Sequence, residues 1–137
     1  MRMNIQEQIA SLKAHTDLIA ARESDIASAQ RALRDLEQQY GEIRAAVEYE
    51  IAADKGAYPN DAARKAAVGV RLAASPSAKQ LQRQIDQFTA EIAMLTVDRD
   101  DAARQRQNAI AILGYETSQN YRLASLPQLS GYAGERR

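Results

Sequence analysis

The 137-residue chain has no cysteine and no tryptophan, one phenylalanine, three prolines and six glycines. Without cysteine there can be no disulfide scaffold and no cysteine-ligated zinc or iron–sulfur site. No apolar run reaches the roughly 18 residues that a transmembrane helix needs, and no secretory leader is visible. An excess of one charge is missing too, since 18 Lys and Arg face 18 Asp and Glu. That balance argues against a general electrostatic grip on nucleic acid. Leu, Ile, Val and Phe together number only 26. What the chain does have is alanine, 27 residues of it, along with Gln, Arg and Glu. This composition favours long helices in a single small domain.

The apolar residues are few but ordered. Ile5, Leu12, Ile19, Ile26, Leu33, Tyr40 and Val47 recur every seven residues without a break. The companion line three residues on reads Gln8, His15, Arg22, Ala29, Leu36, Ile43 and Glu50, and is apolar only in its middle. Ile9, Leu18 and Ile51 are expected to widen the stripe. A sustained heptad repeat imposes a left-handed supercoil against a partner helix. Residues 3–53 therefore read as one helix, about 75 Å long at 1.5 Å per residue. A one-sided helix of that length cannot stand alone in water.

The break comes at Asp54 to Asp61. Lys55 and Gly56 have the form of a helix C-terminus, with Gly at the left-handed position. Pro59 pushes Tyr58 toward extended geometry. Asn60 is a good N-cap, and Asp61 at the first helical position suits the helix dipole. A short helix over 61–74 follows, with Ala63, Ala67, Val70 and Ala74 expected on one face and Ala66, Val68 and Leu72 around it. Ser75 then caps a second long helix that starts at Pro76. Its stripe is Leu81, Ile85, Phe88, Ile92 and Leu95, weakening through Arg99, Ala102, Arg106, Ala109, Ile110 and Leu113. Gly114 is the expected end.

Residues 114–137 contain Pro127, three glycines, Tyr115, Tyr121 and Tyr132, with Leu123, Leu126 and Leu129 spaced by three. They read as an irregular tail, extended or docked on a partner copy. The expected fold is all-α. Two long helices (3–53 and 76–113) form an antiparallel coiled-coil hairpin over residues 1–113, with an elbow helix at 61–74 and the tail at 114–137. Placing Val47 opposite Leu81 would bring Arg22 near Arg106. Two helices bury too little area for a chain of this size, so a homo-oligomer is expected, as a dimer or a higher bundle.

Catalytic chemistry has little to draw on. His15 is the one histidine and lies on a seam line, where packing is its simplest role. There is no Gly-rich phosphate loop and no serine in a hydrolase context. No catalytic residue, metal site or cofactor is therefore expected. The informative anomalies are cationic. Arg22, Arg99 and Arg106 interrupt apolar lines. They can snorkel and pair with Glu23, Asp25, Asp98 or Asp101, fix helix register, or hold an anion between helices. Arg64, Lys65 and Arg71 face only Asp61 within residues 60–75, which makes the corner basic by two charges. Lys55 and Lys79 flank this corner. A basic tip of this kind can touch nucleic acid or an acidic protein.

Tyr58, Asn60, Asp61, Arg64 and Lys65, followed by Leu72 and then Leu81, Ile85 and Ile92, carry a resemblance. Over residues 33–113 the chain resembles a loosely defined set of small coiled-coil proteins encoded by bacteriophages and mobile elements. Their genes often accompany phage recombination genes. Pro59 and the Tyr-rich tail depart from the pattern. The resemblance implies a non-enzymatic protein that binds other macromolecules, as a recombination accessory factor or an inhibitor of a host protein. It brings no catalytic residues. Two other readings stand beside it: a structural component of a virion or similar assembly, and a binder of an anionic nucleotide between helices. In each reading the partners are another copy of the chain and another protein or a nucleic acid, with no membrane. The location is the bacterial cytoplasm or the virion. Independently of the resemblance, Tyr58, Asn60 and Asp61 form a structural elbow: Asn60 and Asp61 cap the short helix while Tyr58 packs over the corner.

Overall fold

A computed structural model describes residues 4–135, with side chains for 4–122. It is all-helical, with no strand among the described residues. Three helices follow in order: α1 (Ile5–Ala53), α2 (Asp61–Ala74) and α3 (Pro76–Glu135).

Local chemistry accounts for most of the helix ends. At the start of α1, Asn4 and Glu7 form a reciprocal capping box. The Glu7 N–H donates to Asn4 Oδ1 at 2.7 Å and the Asn4 N–H to Glu7 Oε2 at 3.1 Å, so two otherwise orphaned donors are satisfied together. At its far end the expected left-handed glycine is absent, because no described glycine has a positive φ. The Asp54 N–H instead closes on the Ile51 carbonyl at 3.2 Å. The Asp54 side chain and carbonyl then accept from the Ala57 and Tyr58 N–H groups, each at 3.2 Å. Asp54 thus does the work that Gly56 was expected to do.

Asn60 caps α2 as expected. Its backbone is extended (φ −137°, ψ 165°) and its side chain accepts from the Ala63 N–H at 2.8 Å. Ser75 serves two helices. Its N–H donates to the Leu72 carbonyl at 3.2 Å, which ends α2, and its Oγ accepts from the Ala78 N–H at 3.3 Å, which starts α3. Pro76 sits at the first helical position, where its missing N–H has no cost.

The irregular tail is corrected. α3 does not stop near Leu113 but runs through Gly114 and Pro127 to Glu135. A glycine ends a helix by turning left-handed, and Gly114 does not. The flanking Ala, Arg, Gln, Ile and Leu residues are strong or adequate helix formers and carry the helix past it. The docking role of Leu123, Leu126, Leu129 and Tyr132 falls outside the described side chains.

The chain divides into two compact units, residues 24–96 and residues 1–23 with 97–137. In the 24–96 unit, Ile51, Val68, Leu72 and Ala78 form the core, with Tyr40, Ile43, Val47, Tyr58 and Ala67 packed against it. Ile26 and Ala29 are also buried. The seam lines of α1 are covered here as the heptads require, from Ile26 to Val47, and Glu50 alone of them is exposed. Leu81, Ile85, Phe88, Ile92 and Leu95 are all half-buried. The inward face of α2 differs from the expected one. Val68 and Leu72 are buried, whereas Val70 is 69% exposed and Ala74 is exposed. Ala63 and Ala67 of the expected face are half-buried, Ala67 against the core, so the inward face is turned from the alanine line toward the larger apolar pair spaced by four.

In the other unit, Gln8, Ala102 and Ala109 are buried, and Leu12, His15, Ile19, Arg22, Arg99 and Leu113 are half-buried. Polar residues on the seam are thus covered like apolar ones. Ile9 and Leu18, expected to widen the stripe, are 52% and 40% exposed.

Candidate functional site

The sequence candidates fall in two places. In the unit of residues 1–23 and 97–137, Arg22 Nε lies 3.9 Å from Asp98 Oδ2. The expected neighbour was Arg106, eight residues further along α3, and Arg106 is exposed. A heptad line fixes which face α1 presents, whereas the point at which α3 meets it is set by how the two helices pack, and the offset of eight residues is not a whole repeat. Arg99 Nη2 lies 3.2 Å from Asp100 Oδ1, and Arg104 pairs with Asp101 at 3.5 Å. The acidic run 98–101 therefore takes up the nearby guanidiniums. Arg22 and Arg99 each face a carboxylate.

The elbow residues do come together. Tyr58 is half-buried against the core. Its carbonyl accepts from Arg64 Nε at 3.1 Å, and Arg64 Nη1 lies 3.5 Å from Asp61 Oδ1. Arg71 reaches back to α1, where its Nη1 meets Glu50 Oε2 at 2.7 Å. This bond ties α2 to α1 at the surface. Both side chains are largely solvated, so it contributes no more than about 1 kcal/mol. Two of the three elbow cations are thereby partly neutralised, and the local charge is less free than its count suggests.

One feature at the elbow was not legible beforehand. Within the 24–96 unit all three helices border a groove of about 760 Å³. Ile51, Val68, Leu72 and Ala78 form its floor, Tyr40 stands on the α1 side, and Arg44, Arg64, Lys65 and Lys79 stand at the rim. Glu48 is the one carboxylate there, and it is engaged by Arg44 Nε at 3.0 Å. Gly69 and Ala73 leave the α2 wall low. Among the sequence candidates, Arg64 and Lys65 line this groove, while Arg71 does not. Arg44 went unrecognised because on α1 alone it is an ordinary exposed arginine. An available signal was Gly69, an interior helical glycine that no packing contact requires: a Cβ built there meets nothing within 4 Å.

The groove's polar groups are cations, one carboxylate, one amide and one phenol. Such a set can bind and orient an anion beside an apolar body. Among the described residues no cluster of three or more His, Asp or Glu could hold a metal ion. No helix of the described residues is long and apolar enough to cross a membrane. Compared with protein-family models, with curated proteins and with solved structures, the chain matches none.

Proposed function

We propose that this is a non-enzymatic, all-helical protein that self-associates and acts by binding another macromolecule, in the manner of the phage and mobile-element coiled coils its elbow motif resembles. In this reading its long helices run antiparallel within each unit. In the 24–96 unit Ile43 borders one groove with Leu81, and Ala29 another with Leu95. In the other unit Ile5 lies beside Glu116, and Arg22 beside Asp98. In both, residue numbers rise on one helix as they fall on the other.

One observation carries the binding role. Among the described residues eight apolar side chains are buried, four of them alanines, while ten large apolar side chains are exposed, including Tyr49, Val70, Met94, Tyr115 and Tyr121. Isolated exposed hydrophobics are ordinary, but ten of them beside seams that are themselves mostly half-buried leave part of the hydrophobic driving force unused in a lone chain. A second copy or a partner protein supplies the missing burial.

Light scattering on a concentration series tests self-association. A mass above the 15.1 kDa of one chain is expected, and a monomer at every concentration overturns it. Anisotropy with labelled single- and double-stranded DNA across a salt series separates a recombination role from a protein-directed one. Salt-sensitive DNA binding supports the first, and its absence at low salt leaves the role of host-protein inhibitor.

A further inference from the structure

We propose that the elbow groove is a docking site for an acidic amphipathic helix of a partner protein. The proposal deepens the macromolecule-binding reading and rests on it.

Ile51, Val68, Leu72 and Ala78 close the bottom of the groove and are themselves almost fully buried, so the surface it presents comes from the partly exposed Tyr40 on α1, the exposed Gly69 and Ala73 on α2 and the exposed Lys79 on α3. An apolar stripe laid across three helices fits the apolar face of another helix, which anchors through residues three and four apart. Gly69 removes the side chain that would stand in the way. The Cβ position of Gly69 is open, as it is at Gly41 and Gly114, and what sets Gly69 apart is that it lines the groove. Close approach by another backbone is a reason for a glycine there.

The charge of the rim selects the sign of the partner. Arg44 is engaged by Glu48 at 3.0 Å and Arg64 by Asp61 at 3.5 Å. Lys65 and Lys79 stand on opposite walls, one on α2 and one on α3, and no ion pair of the described residues includes either. Two exposed ammonium groups beside an apolar floor complement carboxylates flanking an apolar stripe. The groove is bordered mostly by exposed residues, which lets a segment that extends beyond it enter.

The test uses the full chain and two fluorescein-labelled synthetic helical peptides. They share one leucine stripe at positions three and four apart, and carry glutamate or lysine on their flanks. Anisotropy should show saturable binding of the glutamate peptide and little of the lysine peptide. Gly69→Trp should weaken binding about tenfold or more by filling the groove, whereas Ala74→Trp, on the same helix, exposed and outside the groove lining, should leave it unchanged. Lys65→Glu with Lys79→Glu should invert the preference toward the lysine peptide. Circular dichroism confirms that each variant is folded. Should Gly69→Trp fail to fold, the charge inversion carries the test alone.

Equal binding of both peptides, or glutamate-peptide binding indifferent to the lysine reversal, overturns the proposal. So does saturable binding of dodecanoate, sensitive to the same variants, in place of the peptide, because the groove would then serve a small anionic amphiphile. Light scattering reads self-association separately, so failure of the groove and failure of the binding-module reading give different results.

Discussion

Asn60 shows how one side chain fixes a corner. Its Oδ1 takes the Ala63 N–H at 2.8 Å while its carbonyl takes the Arg64 N–H at 3.1 Å. Asn60→Ala should therefore lower stability by about 1 kcal/mol, read as an earlier urea midpoint, while Asn60→Asp should stay close to the parent. Gly41 makes the opposite case. It lies in the interior of α1, and a Cβ there meets nothing within 4 Å. Gly41→Ala should raise stability by about 1 kcal/mol in the same assay. The N-cap was legible because capping is local chemistry: an acceptor, a short side chain and the next turn's donors. The role of Asp54 was not, because Gly56 offered an equally local alternative and only the backbone path chose between them.

At the scale of elements, α2 is held by two side chains. Val68 and Leu72 are buried against Ile51, which is 1% exposed, while Val70 on the same helix is 69% exposed. Ile51→Ala should lower stability by about 2–5 kcal/mol through lost burial and the cavity left behind. Val70→Ala should change it by less than about 0.5 kcal/mol. Thermal or urea unfolding of the pair checks both, and comparable losses would mean that α2 packs through its other face. The short helix's boundaries could be read from its caps, yet its inward face could not. Alanines every three or four residues mark a candidate face, but they bury too little area to outcompete a Val–Leu pair. The end of α3 was misread for a related reason. Glycine and proline are punctuation only when the backbone takes up the conformation they permit, and Gly114 keeps a helical one.

For the whole molecule the deciding quantity is unspent apolar surface. Each of the two units has a narrow seam, and that of residues 1–23 with 97–137 is built from alanines and, at Gln8, His15, Arg22 and Arg99, from polar side chains. Exposed Ile110, Ile112 and Tyr115 lie outside it. If a second copy covers such residues, folding is coupled to association, and the melting temperature should rise with protein concentration. Differential scanning fluorimetry over a hundredfold dilution reads this directly. A concentration-independent melt together with a 15.1 kDa mass would remove the shared-core argument.

The sequence by itself determined the all-helical class, the caps that start α2 and α3 and the two heptad lines, because each follows from periodicity and hydrogen bonding within a few residues. It also placed Tyr58, Asn60, Asp61 and Arg64 at one corner. The tertiary structure alone decided which residue faces which. It gave Arg22 the Asp98 carboxylate, turned Val68 and Leu72 inward, and brought Arg44, Lys65 and Lys79 to one groove. A heptad specifies the face a helix presents and leaves its register against the neighbouring helix open. Grooves between helices, and the charges along them, come into being only when that register is fixed.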